Sequence, residues 1–90
     1  MERRLDVSGL EPPEPLELVL ASMKELRSGQ CLHVEHRMEP MLLYPLLEQM
    51  GYECATRCDS KGRYHIIIWD REDPVAKAAA QRAIEECCSS

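Results

Sequence analysis

The stretch from Leu5 to Leu16 constrains the fold of this chain more than any other. It reads as a short strand over residues 4–7, a turn at Gly9, and a helix start fixed by Pro12, Pro13 and Pro15. Glycine accepts a positive φ without a Cβ clash. Each proline holds its own φ and keeps the residue before it extended, so the strand cannot run straight into a helix. Pro13 or Pro15 then suits the first helical turn, where a missing N–H costs little. Glu14 and Glu17 lie near the positive end of the helix dipole. A strand that hands over to a helix N-terminus in this way can present that terminus to an anion or a partner. The plainer reading is that the prolines only set the angle between strand and helix.

The rest of the chain alternates accordingly. Leu16, Val19, Leu20, Met23 and Leu26 form an apolar stripe, which predicts a first helix from Pro13 to Arg27, ended by Ser28 and Gly29. Residues 31–36 alternate as a strand, with Leu32 and Val34 on one face and Cys31, His33 and Glu35 on the other. After a polar turn over residues 37–39, Pro40 begins a second helix. It carries Leu43, Leu46, Leu47 and Met50 inward, holds Pro45 near its first turn, and stops at Gly51. Two strands follow, residues 52–57 and 63–69, joined by a loop of hairpin composition over residues 59–62. The second of them, ending in Ile66, Ile67, Ile68 and Trp69, is expected to be central and partly covered on both faces. The order βαβαββ predicts an α/β fold, an α+β two-layer sandwich. Its first two strands are parallel and its two helices lie on one face.

Past Trp69 the character changes. A charged linker leads to Asp73, a plausible N-cap, and Pro74, which suits a first helical position. Residues 75–87 are rich in alanine, so a third helix is expected, with a thin apolar face. Residues 1–71 are therefore taken as the domain and 72–90 as a helical tail outside its core.

Asp6, Gly9, Leu10, Pro13, Glu14 and Pro15 resemble the signature of the TusA/SirA-like proteins, small bacterial domains that carry sulfur. That signature runs Leu-Asp, Gly-Leu, then Cys-Pro-x-Pro at the start of the first helix. Pro12 stands where the carrier cysteine would be, and a pyrrolidine ring cannot hold a persulfide. The chain is more similar to a Cys-less branch of that superfamily, a domain of unknown function. Members of that branch carry Gly-Leu-x-Pro-Pro-x-Pro early and Pro-x-x-Leu-Tyr before the second helix. Pro40, Leu43 and Tyr44 fit the second pattern. The resemblance covers residues 4–69 and implies the spatial strand order 1-2-4-3.

Charge and composition narrow the function. The chain has 11 basic and 16 acidic residues, a net charge of −5. Its adjacent basic pair, Arg3 and Arg4, is flanked by Glu2 and Asp6, so no basic face for phosphates is expected and nucleic acid is excluded as a partner. No apolar run approaches the ~20 residues of a membrane span. Five cysteines and no apolar leader fit a reducing, cytoplasmic setting.

No Ser–His–Asp set, P-loop or dinucleotide fingerprint is present, so catalysis is not expected and no cofactor is implied. The reading is a small binding or accessory domain related to sulfur carriers but lacking their cysteine. Its partner would be a protein or a small anionic ligand, met at Gly9, Pro12, Pro13, Glu14 and Pro15 together with His36, Arg37 and Tyr44. Solvated turn residues are the plainer account of the last three. One alternative is a sulfur or redox carrier using Cys31 or Cys54. Another is a metal- or haem-binding sensor using His33, His36 or His65. Cys31, His33 and His65 are the metal candidates by strand position, although their spacing lacks any tight ligand pair. Cys54 and Cys58 would lie about 13 Å apart on an extended strand, beyond the ~7 Å a disulfide allows. Cys87 and Cys88, near the end of the sequence, would be reactive by exposure alone.

Overall fold

The computed structural model describes residues 2–9, 11 and 14–88, with Cys88 described in its backbone only. Four strands and three helices follow one another as β1 (Glu2–Asp6), α1 (Glu14–Lys24), β2 (Cys31–His36), α2 (Leu43–Met50), β3 (Tyr52–Cys58), β4 (Tyr64–Asp70) and α3 (Pro74–Cys88). The sheet is mixed and runs β1-β2-β4-β3, as expected. β1 pairs parallel with β2, whereas β4 runs antiparallel to both of its neighbours.

The two-residue period of the strands divides the interior into two cores. Leu32, Val34, Ile66 and Ile68 pack with Val19 and Met23 of α1 and Leu43 and Leu47 of α2. Cys31, Ile67 and Trp69 point to the opposite face and pack with Ala76, Ala80 and Ala83 of α3. The central strand β4 is therefore buried on both sides from Ile66 to Trp69.

α3 is where the structure departs most from the sequence reading. The tail is helical as expected, but its thin alanine face is fully buried against the sheet face opposite α1 and α2, so the tail is not outside the core. Small side chains explain this, since three methyls let a helix lie close to the sheet without large apolar residues of its own. Asp73 fixes where α3 begins. Its Oδ1 accepts from the N–H groups of Val75 and Ala76, both at 3.1 Å, and its Oδ2 accepts from the Gly29 N–H at 2.7 Å. One carboxylate thus caps α3 and ties it to the loop after α1. These hydrogen bonds, that from Gly29 foremost, hold the Asp73 carboxyl below its ordinary pKa.

Other corrections are local. α1 begins at Glu14 and ends at Lys24, short of Arg27. Its innermost line is Pro15, Val19 and Met23, so Leu16 and Leu20 flank the core and are only partly buried. α2 begins at Leu43, because residues 40–43 turn on the Leu43 N–H to Pro40 carbonyl bond of 3.0 Å. Pro45 then falls in the first turn, where its missing N–H has no helical partner to lose. Leu46 is half-buried, and Met50 faces solvent instead of the core. Gly51 ends α2 at φ 85°, a left-handed cap that glycine adopts without strain.

Candidate functional site

The delayed start of α2 leaves a concavity beside α1. Residues 37–42 leave the end of β2 as a short loop instead of a helix. Between that loop, the first turns of α1 and the end of β2 lies a cleft of about 340 Å³. Pro15, Leu16 and Val19 form one wall, Val34 and His36 the floor, and residues 38–43 the other wall. The loop carries its apolar side chains outward, with Met38 53%, Met41 63% and Leu42 78% exposed. These three exposed apolar side chains follow one another closely on a single loop at the rim of the cleft.

His36 is the main polar group at the base of the cleft. Its Nδ1 accepts the Met38 N–H at 3.1 Å, which leaves the proton of the neutral ring on Nε2. Burial, reinforced by the neighbouring Arg37 charge, lowers its pKa and favours that neutral form. Glu39 lies in the loop wall, so the charge this cleft offers is not suited to an anion.

The residues expected to form the binding surface separate on this geometry. Pro15 and His36 line the cleft. Glu14 is exposed at the first position of α1, and Arg37 is exposed beyond the cleft. Tyr44 turns the other way, its hydroxyl 2.7 Å from Thr56 Oγ1 and donating to Glu39 Oε2 at 3.1 Å. Tyr44 therefore ties α2 and its preceding loop to β3. Gly9 sits in an exposed turn without a positive φ, so this turn does not need a glycine. Pro12 and Pro13 lie outside the described residues. The sequence reading missed Met38, Met41 and Leu42, because residues 37–39 were read as a polar turn and Pro40 as a helix start.

A second group of side chains lies on the opposite face, under the end of α3. His33 Nε2 and His65 Nδ1 face one another at 2.9 Å, and Cys87 Sγ lies 3.7 Å from His33 Nε2. His33 Nδ1 meets a carboxylate oxygen of Glu2, and His65 Nε2 lies 2.9 Å from Asp59 Oδ2. The bond with His65, joined by the Arg63 N–H, brings Asp59 down to a pKa of about 2. Two of the three metal candidates are thus brought together. The third, Cys31, is fully buried among Ile67, Trp69 and the α3 alanines and takes no part. Cys87, expected to be exposed, is half-buried at the end of α3 and takes its place. His36 lies across the sheet from this pair, so the three histidines make no common site.

The described cysteines Cys31, Cys54, Cys58 and Cys87 form no disulfide with one another. Burial raises the pKa of both Cys31 and Cys54, the two proposed carrier thiols. No helix among the described residues is long and apolar enough to cross a membrane.

Residues 4–70 match a family described as an uncharacterized conserved protein, DUF2249. The match ends where β4 does, so α3 and Cys87 lie beyond it. No curated protein and no solved structure gives a significant match to the chain.

Proposed function

We propose, from the premise that this chain belongs to the DUF2249 family of uncharacterized conserved proteins, that it is a small binding or accessory domain. Its working surface is the apolar cleft between α1 and the loop before α2. The observation that carries this reading is the exposure of Met38, Met41 and Leu42 around a cleft whose lining is otherwise largely apolar. A volume of about 340 Å³ lies at the small end of ligand pockets and admits one or two large apolar side chains of a protein partner. Methionines at its rim suit that task, being flexible and polarisable enough to repack around different shapes. A protein partner is favoured over a small anion, since neutral His36 and nearby Glu39 offer an anion no fixed positive charge.

The relation to TusA/SirA-like sulfur carriers is part of the same proposal. It is supported by the Pro-x-Pro start of α1 and the β1-β2-β4-β3 sheet, with Pro12 in the cysteine's place. On this reading the docking shape at the start of α1 is kept while the sulfur chemistry is gone. A carrier working through Cys31 or Cys54 has less support, because Cys31 is buried, Cys54 is partly buried, and burial raises the pKa of both thiols. The cytoplasm remains the proposed setting.

The test is a pull-down from the native host with the wild-type chain, Leu42→Asp and Leu18→Asp. Leu18 is also exposed but lies outside the cleft lining. A partner held by the wild type and by Leu18→Asp but lost with Leu42→Asp supports the cleft. Equal retention by Leu42→Asp contradicts it.

A further inference from the structure

The histidine pair poses a problem of protons. Glu2 and Asp59 each accept from the outer nitrogen of one ring, Nδ1 of His33 and Nε2 of His65. A neutral imidazole carries one N–H, so in both rings that hydrogen points outward. The inner nitrogens, His33 Nε2 and His65 Nδ1, then aim two lone pairs at each other across 2.9 Å. Such a pair needs positive charge between its two nitrogens, which a shared proton or a bound metal ion supplies. Cys87 Sγ adds a third donor atom, and all three ligand atoms lie within 4.8 Å of one another.

We propose that His33 Nε2, His65 Nδ1 and the Cys87 sulfur bind one divalent late transition-metal ion, zinc, under the end of α3. The donor set is borderline-soft nitrogen and soft sulfur, which selects zinc over calcium or magnesium. Bond lengths of about 2.0–2.1 Å to nitrogen and about 2.3 Å to sulfur put tetrahedral ligand atoms roughly 3.3 Å (N···N) and 3.6 Å (N···S) apart. The observed 2.9 and 3.7 Å lie within a few tenths of an ångström of those separations. Glu2 and Asp59 supply what a histidine ligand usually has, a carboxylate on its other nitrogen that fixes ring and tautomer. Binding replaces the thiol proton of Cys87 with the metal and releases that proton to solvent. The remaining position opens on the hollow lined by Lys61 and Glu86 and is available to water.

The site joins β2, β4 and α3, so the metal would pin the C-terminal helix to the domain. It owes nothing to the apolar cleft, and either can stand without the other.

Cobalt(II) is the probe, added to the reduced, metal-free full chain. The expected result is tetrahedral visible bands with a near-ultraviolet thiolate-to-cobalt band, saturating at about one equivalent and displaced by zinc. Cys87→Ser should abolish the thiolate band, and His65→Gln should weaken affinity about tenfold or more. Asp59→Asn, which meets His65 at its outer nitrogen and not at the proposed ligand atom, should weaken it about 10–100-fold. Far-ultraviolet circular dichroism establishes that each variant is folded, and Cys58→Ser, whose thiol lies outside the cluster, should bind as the wild type does. Absence of cobalt uptake, uptake without a thiolate band, or affinity unchanged by His65→Gln overturns the proposal. So does a band that survives Cys87→Ser, including one lost only with Cys88→Ser.

Discussion

Ile66 and Ile67 are adjacent on β4, both fully buried, and face opposite cores. Ile66 rests under α1 and α2, whereas the burial of Ile67 depends on α3. Replacing either with alanine removes three carbons, about 2.4 kcal/mol of transfer free energy at ~0.8 kcal/mol each. The cavity left behind raises the expected cost to roughly 3–4 kcal/mol. If α3 did not dock, Ile67 would lie on an open face, and its truncation would cost only about 1 kcal/mol. A chain of 90 residues has a total stability of roughly 5–13 kcal/mol, so a 3 kcal/mol loss is readily measured. It should lower the melting temperature by roughly 10–25 °C. Urea unfolding followed by circular dichroism and by the single tryptophan, Trp69, gives both numbers. Nearly equal losses for Ile66→Ala and Ile67→Ala are expected. A loss near 1 kcal/mol for Ile67→Ala beside ~3 for Ile66→Ala would refute the second core.

Removing residues 72–90 should uncover Trp69, shifting its emission to the red and lowering the melting temperature; an unchanged spectrum and midpoint would contradict the packing of α3. The Asp73 carboxyl has a folded pKa below its ordinary value of 3.8, so its contribution is present above that value and lost as pH falls through the lowered one. Asp73→Ala should therefore flatten the acid end of the stability profile, and a profile parallel to that of the wild type would show the cap to be idle. Incubation with a cysteine desulfurase and cysteine should leave no persulfide on the chain by intact mass. A sulfur adduct on Cys31 or Cys54, removed by reductant and passed to an acceptor, would restore the thiol-carrier reading.

The sheet was legible because its signals were local and strong. Alternation in residues 31–36, the apolar run at Ile66–Trp69 and Gly51 at the end of α2 each have one natural reading. α3 was legible as a helix but not as a layer, since three alanines separated by three or four residues look like propensity until a sheet face lies beneath them. The cleft was half legible. Pro15 and His36 were named for their position beside a helix start, while Met38, Met41 and Leu42 were hidden by assigning Pro40 to the helix. The partnership of His33 and His65 was foreseeable from neighbouring strands. Their convergence with Cys87 was not, because residues 54 positions apart meet only once α3 folds back over the sheet.

The central claim is that the apolar cleft accepts apolar groups from a binding partner. It is tested most directly by ¹³C-methyl spectra of the methionines and leucines during titration with small aliphatic and aromatic fragments. Saturable shifts confined to Met38, Met41, Leu42, Leu16 and Leu43 are expected, abolished by Leu42→Asp. Shifts that never saturate, or that cluster instead on Leu18 and Met50, would contradict it.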